Sequence, residues 1–523
     1  MTPGLPPRED EAEPPRPWLR SYPKNVPAQL EVPDEFLTDA LRRSTERWPD
    51  RTALIYYGAR WNYRQLWRAI ERWSYGLARL GVRPHDRVAL YLPNCPAFPI
   101  AFFGALRAGA TVVPVSPLYL RDDLAHVLDD ADPRAIVTVE MFAPNLVPLL
   151  ETRPSVRVIW ARLREFYPVW ARPFVSTVLR RRGFPTAAPR GSAFVRWRQV
   201  AASNGTPPTL TGDPAREVAV LQYTGGTTGD PKAAMLTHRN LRANVAQVSA
   251  WNTRAVSGKE VVLATIPLFH IYGLTVALLN GLFDGGTVIL QNRPDVPELL
   301  KLVDRYRPTQ LPGVPALYQA INLNPEVGRH NLHSISVCIS GSAPLLAPTA
   351  HRFEELTGAA VVEGYGLTEA SPVTHANPID GEHRTGSVGL PLPGTDQQIV
   401  DATTGQTLTL PGAVGELWVR GPQVMAGYYR RPEESAQVLV DGWLRTGDAA
   451  QVDPDGFTYI VDRLKDMINV GGLKVSPREV EEVLATHPAV AEAAVVGSPR
   501  RPTARWSSRS SSGDRGARSV PRN

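Results

Sequence analysis

Cysteine is almost missing from this chain: Cys95 and Cys338 are the only two in 523 residues. Neither sits in a CxxC pair or a Cys/His cluster, which excludes a disulfide-stapled secreted scaffold and a cysteine-held zinc centre and fits a reducing, cytoplasmic setting. Long apolar runs are missing too. The best candidate, 98–115, is broken by Gly104, Arg107, Gly109 and Pro114, so it reads as a helix and a buried strand rather than a bilayer span. Residues 1–17 hold six prolines and several acids instead of the apolar stretch of a signal peptide. They predict a disordered head, extended here to residue 29. A broad excess of one charge is likewise absent. The net +6 is matched by the seven arginines and single aspartate of 498–523, and the rest of the chain balances to zero. A nucleic-acid surface is therefore not expected.

Proline, by contrast, is abundant at 50 residues, about twice the usual ~5%. The length accommodates roughly three domains or subdomains of ~150 residues. "TVVPV" (111–115) follows a helical pattern and Gly109, and the same order returns in 273–290, "GLTVALLNGLFDGGTVIL". Two such units predict two related α/β subdomains. Residues 386–461 change texture to short β-rich runs such as "GELWVRG" and "GFTYIVD", predicting a small β subdomain. "SPREVEEVLATHP" (476–488) opens a helix with Ser-Pro.

The densest cluster of poorly packing residues is "YTGGTTGDPKAAMLTH", 223–238. Gly225, Gly226 and Gly229 permit close backbone approach, Thr224, Thr227 and Thr228 supply hydroxyls, and Lys232 supplies a cation. That combination suits a loop that wraps phosphates with N–H groups. It is not the P-loop G-x-x-x-x-G-K-[ST], because Asp230 and Pro231 precede the lysine and Ala233 follows it. A strand, "EVAVLQYT", before it and a helix, "THRNLRANVAQVSAW", after it are the expected setting.

Five further motifs follow in order: "PLFHIYGL" (267–274), "GSAP" (341–344), "EGYGLTEASP" (363–372), "GWLRTGD" (442–448) and "DRLKDMINVGGLKVSP" (462–477). Together the six resemble the adenylate-forming superfamily of acyl-CoA synthetases, nonribosomal adenylation domains and luciferases, over about residues 30–497. "RPWLRSYPKNVPAQLEVP" is similar to the start of bacterial long-chain fatty acid–CoA ligases. The resemblance implies an α/β fold. A large N-terminal domain spans 30–461, with two α/β subdomains to about 385 and a β subdomain over 386–461. A small mobile α+β C-terminal domain begins at 462 and keeps its family character only to 497.

The implied reaction joins a carboxylate to the α-phosphorus of ATP, releasing pyrophosphate, and then passes the acyl group to CoA. Positioning and charge neutralisation carry such chemistry. By resemblance Thr224–Gly229 and Lys232 clamp the phosphates. Gly341, Ser342, Ala343, Pro344, Glu363, Gly364, Tyr365 and Gly366 border the nucleotide, with Tyr365 against adenine. Thr368 touches the α-phosphate, and Glu369, with Thr224, holds Mg2+, a hard cation that takes oxygen ligands. Asp448 accepts the ribose hydroxyls, Arg463 completes those contacts, Lys465 occupies a hinge, and Gly471 and Gly472 serve thiol transfer. His270, Gly273, Gly313, Val314 and Gly341 border the acyl chain. Each residue also has a plainer reading: a solvated acid for Glu369, a core aromatic for Tyr365, a turn aspartate for Asp448, a surface ion pair for Arg463 and a core imidazole for His270.

Residues 264–283 contain no acid to pair with an ammonium group, which favours an uncharged acyl chain over an amino acid. An aryl acid remains open, and so does a non-catalytic nucleotide or acyl binder. The segment 160–182 mixes large apolar residues with arginine, and 151–200 holds eleven arginines against Glu151 and Glu165. It reads either as a membrane-surface patch or as a solvated basic face, with Pro168 and Pro173 preventing one continuous helix. The Arg/Ser-rich 498–523 looks like the product of a shifted frame or truncation. No lysine follows Lys474, so the family's late catalytic lysine has no counterpart here.

Overall fold

The computed structural model describes residues 16–186, 189, 191–224, 231–470, 473–485, 487, 490, 492–497 and 508–512. The chain divides into two units: a larger one of Tyr22–Thr395 with Arg420–Leu439, and a smaller one of the residues up to Ser21, Asp396–Val419 and Val440 onward.

The larger unit holds two sheets, as the repeated helix–glycine–strand pattern predicts. One runs in the order Phe194–Arg196, Arg157–Ala161, Ala135–Val139, Arg87–Tyr91, Thr111–Val115, Val218–Thr224, Lys232–Thr237. All its pairings are parallel except the last. The other has nine strands, with Val261–Ala264, Gln310–Gly313, Val337–Ser340 and Val361–Gly366 as parallel neighbours. Continuous apolar runs such as "AIVTV" (135–139) are buried on both faces, as parallel strands covered by helices must be. The two repeat units appear as helix Ala97–Arg107 before strand Thr111–Val115, and as a π-helix, Gly273–Leu279, running through Asn280–Phe283 to strand Thr287–Leu290. Cys95 and Cys338 are both buried and unpaired, and burial pushes the Cys95 thiol up to about 12, leaving it inert.

Two expectations are corrected. The head is not disordered throughout: Pro17–Ser21 forms a 3-10 turn, Trp18 is buried, and Arg16 pairs with Asp396 at 2.7 Å. Trp18, Tyr22 and Val26 give this segment apolar anchors that a proline count overlooks; residues 1–15 lie outside the described residues. The β subdomain begins at Asp396 rather than 386, because Leu390–Pro391 pairs within the nine-stranded sheet and 420–439 belongs to the larger unit. Its sheet is built on Asp396–Val400, Gly415–Arg420, Trp443–Val452 and Thr458–Arg463. In the Arg/Ser-rich tail, on whose structure the sequence makes no statement, Ser508–Ser512 pairs antiparallel with Glu492–Val496. Backbone pairing to an open strand edge needs no hydrophobic period. Within 160–182 the proline breaks act as expected, giving short 3-10 turns at Leu163–Phe166 and Val169–Ala171 and a helix at Arg172–Arg181 that carries Pro173 in its first turn.

Candidate active site

In an open α/β sheet, ligands collect outside the carboxyl ends of parallel strands. The four parallel neighbours named above release, at that one edge, the segments 367–369, 341–344, Gly313–Val314 and 266–274. Every sequence-derived nucleotide and acyl residue of the larger unit, apart from the 224–232 hairpin, lies in or next to these segments.

Tyr272 ties three of them together. Its hydroxyl donates to the Ile339 carbonyl at 2.8 Å, and its ring would stand 3.6 Å from a Cβ at Gly341. The Gly341 N–H donates to the Gly313 carbonyl at 3.2 Å. At Gly273 a Cβ would meet the Pro267 carbonyl oxygen at 2.1 Å, so only glycine lets the chain turn into the buried π-helix. Thr275 on that helix donates to the Ser371 carbonyl at 2.7 Å, binding the acyl-side motif to the turn after Glu369. His270 stays solvent-exposed in a depression whose desolvation lowers its pKa, so the imidazole is neutral near pH 7; its Nδ1 accepts from the Tyr272 N–H at 3.2 Å. Ser342, Ala343 and Pro344 are exposed, and Val314 and Tyr365 are half-buried. Tyr365 packs edge-on against His375 at 5.8 Å. Glu363 accepts the Leu345 N–H at 3.0 Å, which fixes the 341–345 loop.

The glycine- and threonine-rich segment 223–238 is framed differently from the expected strand–loop–helix. Val218–Thr224 returns as the antiparallel strand Lys232–Thr237, with Thr224 opposite Lys232, and only then does helix His238–Trp251 begin, capped by Thr237. No helix N-terminus follows the loop directly; "KAAMLT" has enough apolar character to pair and be buried first. Lys232 thus sits on a strand. Gly225, Gly226, Thr227, Thr228 and Gly229 lie outside the described residues, as do Gly471 and Gly472.

Lys232 and Glu369 meet at a residue that the sequence reading did not single out. Tyr428 donates its hydroxyl to Glu369 Oε1 at 2.7 Å, and its ring centroid lies 5.5 Å from Lys232 Nζ. Lys232 also forms an ion pair with Glu434. Residues 425–429 run between the two motifs: the Met425 N–H donates to the Glu369 carbonyl at 2.8 Å, and Ala426 and Tyr429 bond to Met235 and Ala233. Burial, then the charges of Glu369 and Glu434, push the Tyr428 phenol far above its usual pKa, so it remains a donor. Among the described residues no group of three or more His, Cys, Asp or Glu could hold a metal. A single half-buried carboxylate fits Mg2+, which keeps waters and binds through one or two carboxylates plus phosphate oxygens.

In the smaller unit Asp448 is buried and faces Arg463 across adjacent strands, with carboxylate and guanidinium 3.6 Å apart. Thr446 accepts the Asp448 N–H at 3.1 Å. Lys465 is exposed two residues beyond Arg463.

A family model described as "AMP-binding enzyme" matches residues 41–429, and one for the AMP-binding enzyme C-terminal domain matches residues 479–506. The chain belongs to the AMP-binding enzyme family. The long-chain-fatty-acid–CoA ligase of Bacillus subtilis (strain 168) is 40% identical over 487 residues, 92% of this chain and 86% of that protein. The ligase of the same name from Escherichia coli O157:H7 is 39% identical over 495 residues, again 92% and 86%. Among solved structures, ATP-bound MatB from Rhodopseudomonas palustris superposes with a TM-score of 0.78 at 29% identity, covering 92% of this chain and 89% of that one. The C-terminal match extends past residue 497 into the Arg/Ser-rich tail.

Tyr272, Tyr428 and Glu434 are the site residues that sequence reasoning missed. Tyr272 lay inside a quoted motif. "GYYRRPEE" (427–434) offered a signal in its paired tyrosines and acids, but only the fold brings it beside Glu369.

Proposed function

We propose that this chain is an AMP-forming ligase that activates a long-chain fatty acid with ATP and transfers the acyl group from the adenylate to CoA. What carries the reading is the likeness, over 92% of this chain, to a long-chain-fatty-acid–CoA ligase, together with an acid-free 264–283 segment beside the convergent carboxyl ends. The substrate carboxylate attacks the α-phosphorus in line with the leaving pyrophosphate. Lys232, leaving Glu434 for the triphosphate, offsets the charge of the β- and γ-phosphates, and Thr368 orients the α-phosphate. Glu369, with Thr224, would hold Mg2+, which when bound would supply further charge neutralisation of the phosphates. The flat face of Tyr365 receives adenine, and Asp448 and Arg463 take the ribose hydroxyls. Neutral His270, Gly273, Gly313, Val314 and Gly341 line the acyl channel; Gly471 and Gly472 serve the CoA step, and Lys465 acts as hinge. The protein works in the cytoplasm and touches the membrane surface through 160–182. Among the described residues no helix is long and apolar enough to cross a membrane.

The test is pyrophosphate release and thermal protection with a panel of fatty, aryl and amino acids. Each methylene buried adds ~0.8 kcal/mol, so kcat/KM for pyrophosphate release should rise about fourfold per carbon, and thermal protection by up to about 0.8 kcal/mol per carbon, until the channel is filled. A stronger response to an aryl acid would replace the substrate class. ATP binding without turnover on any acid, even after an intact C-terminal domain is fused behind Gly497, would mean a non-catalytic binder. Because no lysine follows Lys474, a protein of these 523 residues should adenylate about 10²–10³-fold more slowly than the fusion.

A further inference from the structure

Strand Phe194–Arg196 is the edge of the seven-stranded sheet opposite the phosphate hairpin. At that edge lies a cavity of about 100 Å³, remote from the adenylation site and lined by Arg162, Arg164, Arg196 and Arg198, one acid, Glu165, and the rings of Trp160 and Trp197. Both tryptophans are buried. The Arg162 and Arg196 guanidiniums stand 5.7 and 5.8 Å from the Trp160 ring centroid, so two cations lie against one indole. Arg198 pairs with Glu165 at 3.0 Å, Arg164 donates to Ser176 Oγ at 3.0 Å, and Glu140 feels the charge of Arg162. Four guanidiniums therefore face two carboxylates. Guanidiniums crowded on an indole stay together most readily when an anion sits between them, and arginine suits phosphate through its planar donor fork.

The helix that receives the Arg164 hydrogen bond carries the second observation. Its Ser176 and Leu179 are buried, whereas its Phe174 and Val178, and Trp170 in the 3-10 turn just before it, are 69%, 47% and 75% exposed. Val169 before them is 73% exposed, and Arg180, Arg181 and Arg182 follow. Large aromatic side chains in water beside arginines are the composition of an interfacial segment.

We propose that the arginine cavity is a subsite for the phosphate of an anionic phospholipid headgroup, seated while Trp170, Phe174 and Val178 enter the bilayer interface. The proposal deepens the membrane contact put forward above and rests on it. A second copy of this chain is disfavoured as occupant, because 151–200 carries eleven arginines against two acids and would repel itself. Apolar insertion alone gives marginal, reversible attachment, and a basic contact supplies the second signal.

The experiment is vesicle flotation of the full chain on phosphatidylcholine alone and on phosphatidylcholine mixed with phosphatidylglycerol. The wild type should bind the anionic vesicles more strongly. Arg162→Gln with Arg196→Gln should weaken that binding roughly thirtyfold, about fivefold per charge. Arg216→Gln, which removes an 88%-exposed arginine outside the cavity, should cost much less. Trp170→Ser with Phe174→Ser should reduce binding to both vesicle types. Pyrophosphate release with a soluble acid should be unchanged in every variant, since none of these residues touches the adenylation site. If the Arg162/Arg196 pair loses no more than Arg216→Gln, the headgroup site is overturned, while a surviving Trp170/Phe174 effect leaves the membrane contact standing. If the wild type does not float at all, both fall. Inorganic phosphate binding by calorimetry that the Arg162/Arg196 pair abolishes while vesicle binding is kept would assign the cavity to free phosphate. Self-association abolished by Trp170→Ser and Phe174→Ser would assign the stripe to a second copy. Either result overturns the proposal.

Discussion

Tyr428→Phe removes one oxygen and keeps the ring that Lys232 faces, so it isolates the hydrogen bond to Glu369. That bond, 2.7 Å long with a carboxylate oxygen as acceptor, belongs to the class worth about 1.5–3 kcal/mol. The Glu369 backbone stays anchored by the Met425 N–H, so the fold should survive and the carboxylate alone should be released to turn. Residues that orient a metal ligand typically change metal affinity by about 10–100-fold, the range the hydrogen-bond energy also gives. The expected result is a half-saturating Mg2+ concentration raised by that factor, read by calorimetry of Mg-ATP binding and by pyrophosphate release across a Mg2+ titration. Melting temperature should barely move, and ATP binding without metal should be nearly unaffected. Tyr428→Ala, which also removes the ring from Lys232, should lower affinity for the nucleotide itself. If Tyr428→Phe leaves the Mg2+ dependence unchanged, either Glu369 does not hold the metal or Tyr428 does not position it, and the argument fails.

Glu369→Gln keeps the shape but removes the charge; Mg-ATP affinity should fall with little change in stability, and calorimetry showing unchanged affinity would make Glu369 structural. Gly273→Ala places a methyl 2.1 Å from the Pro267 carbonyl, and should cost more than about 2 kcal/mol in denaturant unfolding. His238, buried with Nδ1 accepting the Leu37 N–H at 3.2 Å, has its pKa lowered by burial to about 3. The unfolded chain takes up this proton below about pH 6.5 and the folded one does not, so stability should fall by about 2 kcal/mol between pH 6.5 and 5. In His238→Asn, which keeps an acceptor but cannot titrate, that slope should flatten; an unchanged slope would assign it to other groups.

Six motifs in order made the family legible without a structure, because each joins residue types that packing alone rarely gathers: glycines and threonines around a lysine, and a carboxylate or an aspartate in a glycine-rich turn. The two α/β subdomains were legible too, since a helix, a glycine and an apolar strand recur with the same spacing. Local pattern misled or was silent where pairing partners decide the outcome. "KAAMLT" became a hairpin strand because Val218–Thr224 had a free edge beside it, and Ser508–Ser512 became a strand because Glu492–Val496 offered one. Trp18 found a buried place despite its proline-rich surroundings. The contacts of Tyr272 and Tyr428 had no local signature at all. A hydroxyl at position 428 meets a carboxylate at 369 only because 425–429 pairs alongside Lys232–Thr237, and side-chain direction across such a distance follows from sheet order and register. The arginine cavity follows the same logic: "WARLR" (160–164) and "RWR" (196–198) are merely basic in sequence, and parallel pairing of their strands gathers them around one indole.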